Sequence, residues 1–98
     1  MRTEKKYALV YTRQYRRDYR RLARSGRYNM KKLDDVLTLL QNGRALPARL
    51  CNHQLKGELH RREECHIEGD WLLIYERRDD VCVLIAQRTG THSDLFDA

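Results

Sequence analysis

Glu63-Glu64-Cys65-His66-Ile67-Glu68-Gly69-Asp70-Trp71-Leu72-Leu73-Ile74-Tyr75, residues 63–75, is the stretch that decides the fold. Cys65 and Ile67 alternate with Glu64, His66 and Glu68, the period-two pattern of a strand with one apolar and one polar face. Gly69-Asp70 supplies turn residues, glycine for its free backbone and aspartate for its local hydrogen bonding. Residues 71–75 are then apolar throughout, as expected of a central strand covered on both faces. A strand, a tight turn and a second strand make an antiparallel hairpin.

Downstream, Arg78-Asp79-Asp80 makes another turn and residues 81–86 are again apolar, so a further central strand is expected there. Residues 93–96 read as one short helical turn that lays Phe96 back on the sheet. Upstream, residues 55–59 are expected to add another strand. Asn29 is placed to cap a helix with Met30, Leu33, Val36, Leu37 and Leu40 inward, stopped at Asn42-Gly43. Thr12 caps an earlier helix that buries Tyr15, Tyr19, Leu22 and Ala23 and ends at Ser25-Gly26. Residues 7–11 alternate weakly and open the chain as its first strand.

The expected architecture is α+β in the order β-α-α-β-β-β-β. Two antiparallel helices pack on one face of a twisted, mainly antiparallel sheet, with the short C-terminal helical turn beyond it. Two helices cannot cover both faces of strands that are apolar on both, so the second face is expected to be a site or a partner surface. Residues 1–98 form one domain: 98 residues supply one modest core, and there is no repeat, low-complexity tract or linker.

A charged fraction of 35% against 41% hydrophobic fits a folded chain without a generous interior. No apolar run approaches the ~20 residues that cross a bilayer. The charged start, Met1-Arg2-Thr3-Glu4-Lys5-Lys6, leads into a strand, so no secretory signal is expected. Three cysteines, an odd number, argue for a reducing cytoplasm rather than a disulfide framework. The net charge of +6 is uneven: residues 1–33 hold twelve Lys/Arg and two Asp/Glu, residues 34–98 eight and twelve. Arg13, Arg16, Arg17, Arg20, Arg21 and Arg24 line the outer side of the first helix, an arrangement that fits a polyanion.

The chemistry-bearing residues fall at strand ends and turns: His53 before the first strand of the sheet half, His66 on a polar strand face, Asp70 in the turn, and His92 after Arg88-Thr89-Gly90-Thr91. Histidine serves as base or acid because its unperturbed pKa of ~6.5 lies near working pH. RNA is cut without metal when a 2′-hydroxyl is deprotonated, the departing 5′-oxygen is protonated, and charge on the phosphate is neutralised. His53, His66, Asp70, His92 and Arg88 supply those parts; His60, beside Arg61-Arg62, stays outside the set. Trp71 and Phe96 each have two readings, as core residues or as platforms for unpaired bases.

The ordered motifs His53-Gln54-Leu55-Lys56-Gly57, His66-x-x-x-Asp70-Trp71 with Leu72-Leu73-Ile74-Tyr75, and Arg88-Thr89-Gly90-Thr91-His92-x-x-Leu95-Phe96 resemble the YafQ branch of the RelE/ParE toxin superfamily. The resemblance implies a RelE-like fold and a type II toxin that cuts mRNA in the ribosomal decoding site, with no metal and no cofactor. It implies a cognate antitoxin, as a heterotetramer, and the ribosome and mRNA as partners. By position it implies a site of His53, His66, Asp70, Trp71, His92 and Phe96. His92 would be the general acid, Asp70 or His66 the base, and His53 and Arg88 the phosphate ligands. The six arginines would dock on ribosomal RNA.

Three alternatives remain at this level. The chain could act on DNA gyrase, as ParE-like toxins of this fold do, or bind RNA without cutting it. Cys51, His53, Cys65 and His66 carry zinc-ligand chemistry, but neighbours 65 and 66 on a strand point to opposite faces.

Overall fold

The computed structural model describes residues 6–55 and 62–96. Among these residues five strands form one sheet in the order β1-β5-β4-β3-β2. They are β1 (Ala8–Tyr11), β2 (His53–Gln54), β3 (Arg62–Glu68), β4 (Trp71–Arg78) and β5 (Val83–Gly90). Among the described residues the helices are α1 (Arg13–Ser25), α2 (Met30–Gln41) and α3 (His92–Phe96), with a short 3-10 turn at Ala48–Leu50. The α+β class and the expected element order hold. The sheet is mixed, because β1 runs parallel to β5 while every other pair is antiparallel.

The helix ends follow from their caps. Thr12 Oγ1 accepts from Tyr15 N at 3.0 Å and donates to Gln87 O at 2.8 Å, so one side chain starts α1 and ties it to β5. Gly26, at φ 73°, closes α1 in a left-handed cap that few other residues adopt without strain. Asn29 Oδ1 accepts from Lys31 N at the start of α2. Tyr15 and Leu22 of α1 and Leu33, Val36, Leu37 and Leu40 of α2 share one core with Cys65, Ile67, Trp71, Leu73, Tyr75, Leu84 and Ala86. Leu33, Leu73 and Leu84 are fully buried, each worth roughly 1.5–3 kcal/mol relative to exposure. Burial pushes the Cys65 thiol up to about 12, so it is an inert core group.

Three expectations shift. Val81 lies in the turn and is exposed, so the last strand starts at Val83 and runs on to Gly90. A strand described as His53–Gln54 precedes the one expected at 55–59, of which only Leu55 is described, outside the strand and donating its N–H to Arg62 O; 56–59 lie outside the described residues. Ala23 is exposed, and the buried side of α1 instead includes Asp18, one turn before Leu22.

That aspartate has a structural reason. β1 ends at Tyr11, opposite Ala86, so beyond Ala86 β5 pairs with β4 on one side and has no strand on the β1 side. α1 runs alongside instead, and Asp18 accepts from Thr89 N at 3.1 Å, closing the open strand edge. Two ladder irregularities, at Ile67 in β3 and Gln87 in β5, bend the sheet near the residues of interest.

Candidate active site

Directly opposed residues on neighbouring strands share a face. The register pairs His53 with Glu64, Glu64 with Ile74, and Ile74 with Arg88; the next row pairs His66 with Leu72 and Leu72 with Gly90. All of these lie on the face away from α1 and α2. The histidines are therefore gathered on the side that the sequence left uncovered.

Glu64 stands at the centre. The residue is only 4% exposed, with His53 Nε2 2.8 Å from one carboxylate oxygen and His92 Nε2 4.0 Å from the other. His92, first residue of α3, places Nδ1 2.7 Å from Asp70 Oδ1, and its backbone N–H also faces that oxygen at 3.4 Å. The His92 ring bond holds the Asp70 carboxyl below the usual carboxylate value against an opposing desolvation, and that backbone N–H and the charges of His92 and His66 add smaller pulls in the same downward direction. His66 turns Nδ1 to Gly69 O at 3.1 Å. A carbonyl only accepts, so Nδ1 carries the proton and the neutral ring keeps its lone pair on Nε2. The His66 and His92 rings lie 6.1 Å apart, and Phe96 sits 5.7 Å from His92.

His53, His66, Asp70, His92 and Phe96 thus converge. Phe96 stays 44% exposed rather than folding fully onto the sheet. Beside it a cleft of about 510 Å³ is lined by Arg62, Ile74, Arg88, Leu95 and Phe96 among others. Glu64 was visible in the sequence on the polar face two residues before His66, yet only the pairing with His53 gives it a role.

Trp71 is placed elsewhere. Its ring is buried in the helix-side core, edge-on to Tyr28, with Nε1 donating to Thr89 Oγ1 at 2.9 Å. Alternation along β4 sends Trp71 to the opposite face from Leu72, hence from His66, so the expectation of an RNA-stacking Trp71 is corrected to a core role. Arg88 borders the cleft, but its Nε and Nη2 are held by Asp18 at 2.7 and 3.2 Å.

Arg13, Arg16, Arg17, Arg20 and Arg24 are exposed on α1, with the Arg16 guanidinium 5.7 Å from the centre of the Tyr11 ring. Arg21 differs, because it bridges two carboxylates: Asp18 at 3.2 Å and Asp94 at 3.3 Å.

The zinc set considered from the sequence does not assemble, since Cys65 points into the helix-side core and His66 away from it. His53, Glu64 and His66 do bring one ligand atom each to within 4.8 Å of one another. Two imidazoles and a carboxylate are a donor set that suits a divalent transition metal.

A family model described as a bacterial toxin of the type II toxin–antitoxin system, YafQ, matches residues 7–97. The mRNA interferase toxin YafQ of Escherichia coli strain K12 is 40% identical over 89 residues, spanning 90% of this chain and 94% of that protein. The toxin in the crystal structure of the E. coli DinJ–YafQ toxin–antitoxin complex superposes with a TM-score of 0.82 at 38% identity, covering 93% of this chain and 98% of that one. A metal-bound toxin from Helicobacter pylori gives 0.85 at 30% identity, covering 92% and 99%. The chain belongs to the YafQ family of bacterial type II toxin–antitoxin toxins.

Proposed function

We propose that this protein is a ribosome-dependent mRNA endoribonuclease that cuts by metal-independent acid–base catalysis as a single domain, 1–98. The observation that carries the reading is the pairing of His92 with Asp70, set 6.1 Å from the His66 ring on one open sheet face. The naming of the E. coli relative as an mRNA interferase supports it.

In the proposed reaction, His66 Nε2 takes the proton of a 2′-hydroxyl as that oxygen attacks the adjacent phosphorus. The phosphorus–5′-oxygen bond breaks, and His92 gives its Nε2 proton to the leaving oxygen. The products are a 2′,3′-cyclic phosphate and a 5′-hydroxyl. Asp70 is the weaker candidate for the base, because its carboxylate is committed to His92 and its proton affinity is lowered. It instead favours the charged, donating form of His92. His53, drawn to Glu64, and Arg88 border the phosphate position and neutralise its charge, while Phe96 supplies the exposed aromatic surface on which a base stacks.

The groups are exposed and few, so they offer little to hold a flexible message. The ribosome would present the mRNA in a fixed geometry, with Arg13, Arg16, Arg17, Arg20 and Arg24 docking on its RNA. An acidic antitoxin segment laid over the basic helix or the open sheet face would silence the toxin. The DinJ–YafQ complex supports such a partner, and a heterotetramer is the assembly we expect. Among the described residues no helix is long and apolar enough to cross a membrane, and the cytoplasm is the proposed compartment. A cation held by His53, Glu64 and His66 would occupy the lone pair that His66 needs, so it would oppose this chemistry.

The test is cleavage of a defined mRNA, with and without programmed ribosomes and with EDTA, by wild type and His92→Ala. Ribosome-dependent, EDTA-resistant cuts with 5′-hydroxyl ends, lost in the variant, are expected. Absence of cutting by the wild type, or an unchanged rate in the variant, overturns the proposal.

A further inference from the structure

The basic helix and the catalytic end of the sheet are joined through one arginine. Arg21 Nη1 lies 3.2 Å from Asp18 Oδ1, and its Nη2 lies 3.3 Å from Asp94 Oδ2. Asp18 is buried and also holds Arg88 and the Thr89 amide. Asp94 holds the start of α3: its Oδ2 accepts from Thr91 N at 3.0 Å, and its own N–H donates to Thr91 Oγ1 at 3.1 Å. His92 sits between the two partners of that reciprocal cap. Gly90 lies beneath, at φ 153°, where a Cβ would come within 2.9 Å of Asp94 Oδ2 and 3.1 Å of Arg21 Nη2. The backbone is thus left bare where the arginine and the aspartate meet.

We propose that Arg21 is a positioning residue: through Asp94 it holds α3 so that His92 meets Asp70 and faces Glu64, rather than docking on RNA with its α1 neighbours. The inference rests on the nuclease reading for its kinetic consequence, but not for its structural one. Arg21 is about half exposed, and its ion pair with the exposed Asp94 contributes little to stability. Placement is where such a contact tells, since a shift of about 1 Å can cost ~100-fold in rate.

The test compares Arg21→Ala, Arg21→Lys, Asp94→Asn and the Arg21→Ala/Asp94→Asn double variant, with Arg17→Ala as the docking comparator. Asp94→Asn keeps an oxygen to cap Thr91 N while removing the charge that Arg21 meets. Steady-state cleavage on programmed ribosomes is measured across salt concentrations, and hydrogen exchange is followed at the Leu95 amide, which bonds Thr91 O at 3.0 Å. For Arg21→Ala we expect kcat to fall roughly 10- to 100-fold with KM and salt slope unchanged. Asp94→Asn should show a similar fall, the double variant no further loss, and Leu95 faster exchange in each. Lysine should restore only part of the rate, because an ammonium cannot fork between two carboxylates. A rise in KM with a salt slope reduced by about 1, as expected for Arg17→Ala, would place Arg21 in the docking face and overturn the proposal. Additive losses, or unchanged Leu95 exchange, would overturn it equally. If wild type cuts nothing, the nuclease reading fails by itself and the exchange measurement alone decides whether Arg21 holds α3.

Discussion

His92 Nδ1 lies 2.7 Å from Asp70 Oδ1, a contact that joins the first residue of α3 to the turn between β3 and β4. Two elements separated by the whole of β4 and β5 are thereby held at one corner of the sheet. The contact fixes which His92 nitrogen carries a proton toward Asp70, and so which one is left for chemistry.

This pair makes stability depend on acid. The folded Asp70 carboxyl is held below its unfolded value of ~3.9, so its contribution is fully present above that pH and is lost as pH falls through the folded value. Asp70→Asn should therefore flatten part of the loss of unfolding free energy seen below about pH 4 in denaturant titrations. The same variant should cut roughly 10- to 100-fold more slowly at neutral pH, because His92 loses its charged partner. An acid limb of stability identical to wild type would count against the pair.

Trp71 and Phe96 should behave oppositely. Trp71→Ala empties a core site beneath Tyr28 and removes the Nε1 donor to Thr89 Oγ1, which keeps only its own bond to Leu72 O, and should cost about 3–5 kcal/mol in urea unfolding. Phe96→Ala, at a half-exposed position, should leave stability within about 0.5 kcal/mol while raising KM on programmed ribosomes. A stable Trp71→Ala protein with impaired RNA binding would return that ring to the substrate face.

Gly90→Ala is expected to destabilise by about 1–3 kcal/mol, from both the backbone angle and the clash with Asp94 and Arg21. Its rate of cleavage should fall further than its stability explains, since α3 must move to admit the methyl. Thermal melts and cleavage at a temperature where the variant is fully folded separate the two effects.

A divalent transition metal should inhibit, and a chelator should restore activity. Zn²⁺ or Cu²⁺ at His53, Glu64 and His66 would compete for the base, so the rate should fall with metal concentration and recover fully with EDTA. Glu64→Gln should weaken that inhibition by roughly 10-fold or more, having replaced a charged ligand with a neutral one. Activation by metal would reverse the assignment of the cluster.

Much of the architecture was legible in the residues. Thr12 and Asn29 mark both helix starts, and Gly26 marks one stop, because caps are local hydrogen-bonding chemistry. The Cys65/Ile67 alternation and the Gly69-Asp70 turn set the hairpin that carries His66 and Asp70. What the sequence determined by itself, then, was the set of elements and the residue types able to move protons. The tertiary structure alone decided their partners. The parallel docking of β1 on β5, the recruitment of Glu64 between His53 and His92, and the burial of Asp18 against Arg88 and Thr89 are contacts between distant segments. Trp71 went to the core for the same reason: strand register, set by pairing along the whole sheet, assigns each side chain its face. Local propensity reaches only a few residues along the chain, whereas the active corner is assembled from groups up to several dozen residues apart.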